Sequence, residues 1–111
     1  MSNAIRHWWT QRVSSVLMIP LALWLLWAGA SLTGADYNTA AAFMGSPFNG
    51  MMAVFTAIVA LYHAQSGITV IVEDYVPGKR FPATLILVTR VGCGLGVAAV
   101  FAAAFMLSFG A

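Results

Sequence analysis

The chain reads as three long apolar runs divided by short polar punctuation. VSSVLMIPLALWLLWAGAS is free of charge from Val13 to Ser31, and MMAVFTAIVALYHAQSGITVIV covers Met51 to Val72. The third run starts near Ala83 and continues to Phe109, with VGCGLGVAAVFAAAFMLSF as its charge-free part. A helix rises about 1.5 Å per residue, so about 20 apolar residues cross a hydrocarbon core about 30 Å thick. The pattern therefore predicts membrane-spanning helices over residues 13–33, 50–74 and 83–109. Between them lie TGADYN and GSPFNG, and later PGKRFP, whose Gly, Pro, Asn and Asp residues mark turns. The expected fold class is all-α: one transmembrane domain, residues 1–111, of three spanning helices.

Composition leads to the same place. The chain is 61% hydrophobic and 7% charged, where a soluble domain carries about one-quarter charged residues. So few polar groups could not cover its surface in water, and the bilayer is its natural solvent. A net charge of +2 does not signal nucleic acid, because the five Lys and Arg residues flank apolar runs and form no patch. The single cysteine, Cys93, has no internal disulfide partner and is expected to be a small packing residue. MSNAIRHWW shows neither a signal-peptide pattern nor an Arg- and Ser-rich presequence, and is expected to be a mature bacterial N-terminus.

Charge fixes the expected orientation. Arg6 and Arg12 precede the first span, and Lys79, Arg80 and Arg90 follow the second. Residues 32–50 hold no Lys or Arg and one acid, Asp36. The positive-inside rule then places the N-terminus and the 73–83 loop in the cytoplasm and the C-terminus outside, in the inner membrane of a bacterium. Trp8 and Trp9 suit the interfacial aromatic belt. Arg90, about 10 Å into its span, is expected to snorkel. Pro20 is expected to kink the first helix without functional consequence. Gly92, Gly94 and Gly96 suit close approach of a neighbouring helix.

His63 is the polar residue that needs an explanation. It lies about 13–14 Å from the Val72 end of its span, near the bilayer midplane, where hydrocarbon offers an imidazole no partner. Two readings follow: a neutral ring hydrogen-bonded to a carbonyl or hydroxyl of the next helix, or a metal ligand. At 100° per residue, Gly67 falls about 40° round from His63 and one turn nearer the cytoplasm, leaving room for a flat macrocycle. Asp74 falls about 20° round and about 16–17 Å along the axis. Glu73 and Asp74 oppose the helix macrodipole, and either solvation or pairing with Lys79 and Arg80 would offset this. Asp74 and Tyr75 together form a donor–acceptor pair at the membrane surface suited to a quinone headgroup.

The run H-A-x-x-G-x-x-x-x-x-x-D-Y, here His63, Ala64, Gly67, Asp74 and Tyr75, resembles the hydrophobic membrane anchor subunits of succinate dehydrogenase, respiratory complex II. Arg12, Ser14 and Ser15 at the start of the first span fit the same pattern. The resemblance implies an anchor that packs against a cytochrome b subunit and carries the flavoprotein and iron–sulfur subunits on the membrane. It implies that His63 is an axial ligand of haem b, shared with the cytochrome b subunit. Tyr75 would hydrogen-bond ubiquinone, the substrate, with Asp74 in the same site or its proton supply, and Arg12 would lie near a haem propionate. The chain alone would catalyse no succinate chemistry. A related fumarate reductase anchor shares these features. A non-redox transport or assembly protein, with His63 as a packing or proton-relay residue, is the rival of another class.

Overall fold

The computed structural model describes residues 3–110; Met1, Ser2 and Ala111, at the ends of the expected domain, lie outside the described residues. Four helices follow one another: α1 (Asn3–Ser31), α2 (Tyr37–Gly45), α3 (Pro47–Tyr75) and α4 (Arg80–Phe109). The three long ones are each long and apolar enough to cross a membrane. At about 1.5 Å per residue each extends about 43–45 Å, which accounts for the 50 Å long axis of the molecule.

The long helices differ from the expected bounds: α1 starts ten residues before residue 13 and stops at Ser31, α3 extends past both 50 and 74, and α4 starts three residues before residue 83. The first helix begins at Asn3 rather than near residue 13, because IRHWWTQR contains no Gly or Pro to stop it. It also runs unbroken through Pro20. At the start of α3, Ser46 is the N-cap, its hydroxyl accepting from the Asn49 N–H, and Pro47 occupies the first turn. Pro82 sits in the first turn of α4, where its missing N–H costs nothing. Gly78, at φ +96°, makes the turn between α3 and α4 in a region that favours glycine.

The segment between the first two spans is more than a turn. Residues 37–45 form α2, rich in alanine and capped by Asp36, whose carboxylate accepts from the Thr39 N–H at 2.8 Å. Hydrogen bonds from the Thr39 side chain and then its backbone hold the Asp36 carboxyl below its ordinary 3.8. A depressed carboxyl pKa stabilises the folded form above the unfolded value and loses that effect as pH falls through the folded one. Asp36→Ala, or acidification through that range, is expected to fray the first turn of α2. Faster amide exchange at Thr39 would register it, and unchanged exchange would contradict the cap's role.

The central helix is α3. It packs against α1 on one flank and α4 on the other, and α1 and α4 do not pack on each other among the described residues. Ser14 opposes His63 and Gln11 opposes Gly67, so α1 and α3 run antiparallel. Gly96 opposes Leu61, where a Cβ would come within 2.9 Å of the Leu61 side-chain tip. Gly92 and Gly94 meet nothing within 4 Å, so of the three glycines Gly96 makes the close approach. At the far end α2 lies beneath α4: a Cβ on Gly45 would sit 2.5 Å from the Leu107 carbonyl oxygen, and Ser108 donates to the Gly45 carbonyl at 2.8 Å.

Few side chains are buried by this arrangement. Leu21, Ala28, Val59 and Val72 form the apolar core, with Ser14, Ser66 and Thr69 as buried polar residues. Leu26, Phe48, Leu95 and Phe109 stand outward. Such faces require hydrocarbon or a partner's helices around them.

Candidate functional site: a polar seam between the first and third helices

His7, Gln11 and Ser14 recur at i, i+4 and i+7 on α1, which puts them on one face of that helix. His63 and Gly67 make the matching pair on α3. The His63 Nδ1 lies 2.9 Å from the Ser14 Oγ, and Ser14 is 6% exposed. The Ser14 hydroxyl also lies 3.1 Å from the Gln11 carbonyl oxygen, within reach as a donor. So the first reading of His63 is met, a hydroxyl on the neighbouring helix, but at one ring nitrogen only. His63 Nε2 has no hydrogen-bond partner among the described residues. It is not one of the buried unpaired atoms, so it opens to the surface of the chain.

One turn nearer the start of α1, a groove of about 250 Å³ is lined by His7, Trp8, Gln11, Arg12, Gly67 and Val70. Gly67 does let another group approach, but the space is shared. A Cβ there would lie 3.5 Å from the Gln11 Nε2, so the glutamine amide partly fills the gap expected for a macrocycle. Arg12 is exposed on the same groove, its guanidinium 5.4 Å from the Trp8 ring centroid. Two buried polar atoms of this seam, His7 Nε2 and Gln11 Oε1, have no hydrogen-bond partner among the described residues. A buried unpaired polar atom costs roughly 1–3 kcal/mol, so both call for a water or a group from outside the chain.

Asp74 and Tyr75 are placed differently. They are the last two residues of α3, both exposed, Tyr75 at 80%. Neither touches the seam by a hydrogen bond or ion pair among the described residues. About eleven residues of helix, or 16–17 Å, separate Asp74 from His63 along the axis. The structure thus joins His63 to Ser14, and Arg12 to the Gly67 groove, and leaves the acid–tyrosine pair at the helix end. Arg90 lies elsewhere, in the groove between α3 and α4 beside Tyr62, Gln65 and Cys93.

Ser14 as the histidine's partner, and the unpaired His7 and Gln11, escape a reading of the sequence that treats each span alone. The spacing 7, 11, 14 was the available signal. No group of three or more His, Cys, Asp or Glu residues suited to a metal occurs among the described residues.

Comparison with known proteins gives the family of the chain. The sequence profile of the succinate dehydrogenase/fumarate reductase transmembrane subunit matches residues 3–109. The succinate dehydrogenase hydrophobic membrane anchor subunit of Rickettsia felis is 31% identical over 104 residues, covering 94% of this chain and 87% of the relative. The succinate dehydrogenase membrane anchor subunit of Reclinomonas americana is 33% identical over 88 residues, 77% of this chain and 73% of that one. The hydrophobic membrane anchor subunit of Paracoccus denitrificans is 28% identical over 101 residues, covering 91% and 78%. No solved structure is a significant match. With three helices able to span a bilayer, the chain is a multi-pass membrane protein. It belongs to the succinate dehydrogenase/fumarate reductase transmembrane subunit family.

Proposed function

We propose that this chain is the hydrophobic anchor of a succinate dehydrogenase, holding one side of a haem b and part of a quinone-reduction site. The observation that carries this is the divided chemistry of His63. Its Nδ1 is engaged by Ser14 and its Nε2 is open at the protein surface. Metal-binding histidines use their rings in this way, one nitrogen for the ion and the other for a fixing hydrogen bond. The residues present fit one axial position: a single available imidazole, a glycine beside it, and unpaired polar atoms in the adjoining groove. When bound, haem b would supply a one-electron redox centre.

The chain's own residues do the rest. His63 Nε2 would supply one axial ligand, and a cytochrome b subunit the other. Arg12, exposed on the seam groove, would offset the charge of a haem propionate. Tyr75, exposed at the end of α3, would donate its phenolic O–H to a carbonyl oxygen of ubiquinone. Reduction of the quinone to quinol takes two electrons and two protons. The electrons come from the partner iron–sulfur subunit, and Asp74 can pass protons from water to the reacting oxygens.

Orientation follows from the charges. Arg6, Arg12, Lys79 and Arg80 lie towards one end of the bundle, since α1 starts where α3 ends. That end faces the cytoplasm and the opposite end, with α2, the periplasm of a bacterial inner membrane. Purification of the tagged chain from native membranes is expected to bring down a flavoprotein, an iron–sulfur protein and a second membrane subunit. A b-type reduced-minus-oxidised spectrum should accompany them. Recovery of the chain without flavin or haem would instead support a non-redox membrane protein.

A further inference from the structure

We propose that Ser14 is the positioning residue for His63: its hydroxyl accepts the Nδ1 proton, fixes the ring tautomer and tunes the ring's strength as a ligand. The proposal rests on the reading of His63 as a haem ligand. A neutral imidazole carries one proton. If Nε2 binds iron it holds a lone pair, so the proton is on Nδ1. The Ser14 oxygen, 2.9 Å away, must then accept. A hydroxyl that accepts still needs an acceptor for its own proton in a low-dielectric setting, and the Gln11 carbonyl oxygen lies 3.1 Å from Ser14 Oγ. The chain of donors therefore runs from His63 Nδ1–H to Ser14 Oγ and from Ser14 Oγ–H to the Gln11 carbonyl. The opposite assignment sends the Ser14 proton to Nδ1 and leaves an Nε2–H with no acceptor among the described residues.

Rigidity comes from where the relay sits. Ser14 is buried between α1 and α3 and the Gln11 carbonyl belongs to the helix backbone, so neither swings away. Donation from Nδ1–H shifts electron density towards Nε2 and favours the oxidised iron, the more electron-poor state. Ser14 thereby ties the electronic character of the centre to the packing of α1 on α3. Nothing else on the facing surface offers a hydroxyl at that level: Ser15 also donates to the Gln11 carbonyl, at 2.7 Å, and does not reach the ring.

The test uses the intact complex with Ser14→Ala and Ser14→Thr, and His63→Ala as reference. In Ser14→Ala with haem retained, the reduced-to-oxidised ratio at fixed potential is expected to rise about threefold, the effect of losing one modest hydrogen bond. That is a rise of about 28 mV for a one-electron couple. Ser14→Thr, which restores a hydroxyl, should return the potential towards the parent value. Loss of haem in Ser14→Ala with retention in Ser14→Thr would also support the role, since only the hydroxyl differs in kind. An unchanged potential in Ser14→Ala, or equal haem loss in both variants, would overturn it by showing that Ser14 acts through volume. If His63→Ala keeps a normal haem spectrum, the ligand assignment itself has failed, and that outcome is distinct from the others.

Discussion

His63→Ala is expected to abolish the b-type absorbance of the purified complex, or to leave a spectrum typical of a five-coordinate or displaced haem. No other residue of the seam can replace the imidazole: Ser14 offers a hydroxyl and Gln11 an amide, both poor ligands for haem iron beside a nitrogen base. His7 lies seven residues before Ser14 on α1, about 10 Å along the axis, too far to substitute without moving the helix. The flavoprotein and iron–sulfur subunits should remain attached, because His63 lies midway along α3 against Ser14 of α1, away from the helix ends. The measurements are a reduced-minus-oxidised spectrum and the subunit composition of the same preparation. A full haem spectrum in a complete complex would count against ligation.

Tyr75→Phe should separate the two ends of the enzyme. On the proposed function, removing the phenolic hydroxyl would delete one donor to the quinone carbonyl and little else, since Tyr75 is 80% exposed and makes no packing core. A neutral hydrogen bond contributes about 1–1.5 kcal/mol net, so quinone reduction should fall about tenfold. Succinate oxidation by an artificial dye, which bypasses the membrane site, should be unchanged. Loss of both activities together would mean an assembly defect, and loss of neither would remove Tyr75 from the quinone site.

The three spans were legible because length and hydrophobicity are bulk properties of a segment, robust to small errors at the ends. The ends themselves were not, and the reason is visible in α1. Its first turns carry Arg6, His7 and Arg12, which an apolar-run criterion discards, yet nothing in that stretch breaks a helix. The short helix α2 was hidden between two turn-rich motifs. Its signals were local, an Asp36 cap and three consecutive alanines, and they were read as connection. His63 could be recognised as a residue in need of a partner, because a polar ring at mid-span is costly wherever it points. Which partner it finds depends on the register of α1 against α3, a property of packing that no single run contains. Gly67 shows the same limit: its missing side chain was apparent, whereas the Gln11 amide lying over it was not. Asp74 and Tyr75 were singled out as a donor–acceptor pair at a helix end, and then through a resemblance in motif. Their exposure at the end of α3 is in keeping with a site completed by other chains.

The most direct test is an electron cryo-microscopy map of the intact complex in its membrane environment. The expected result is iron within bonding distance of His63 Nε2, with Nδ1 turned to Ser14 and the opposite axial position filled by a histidine of the cytochrome b subunit. A His63 ring bounded by acyl chains or by packed side chains, with no porphyrin against Nε2, would contradict it.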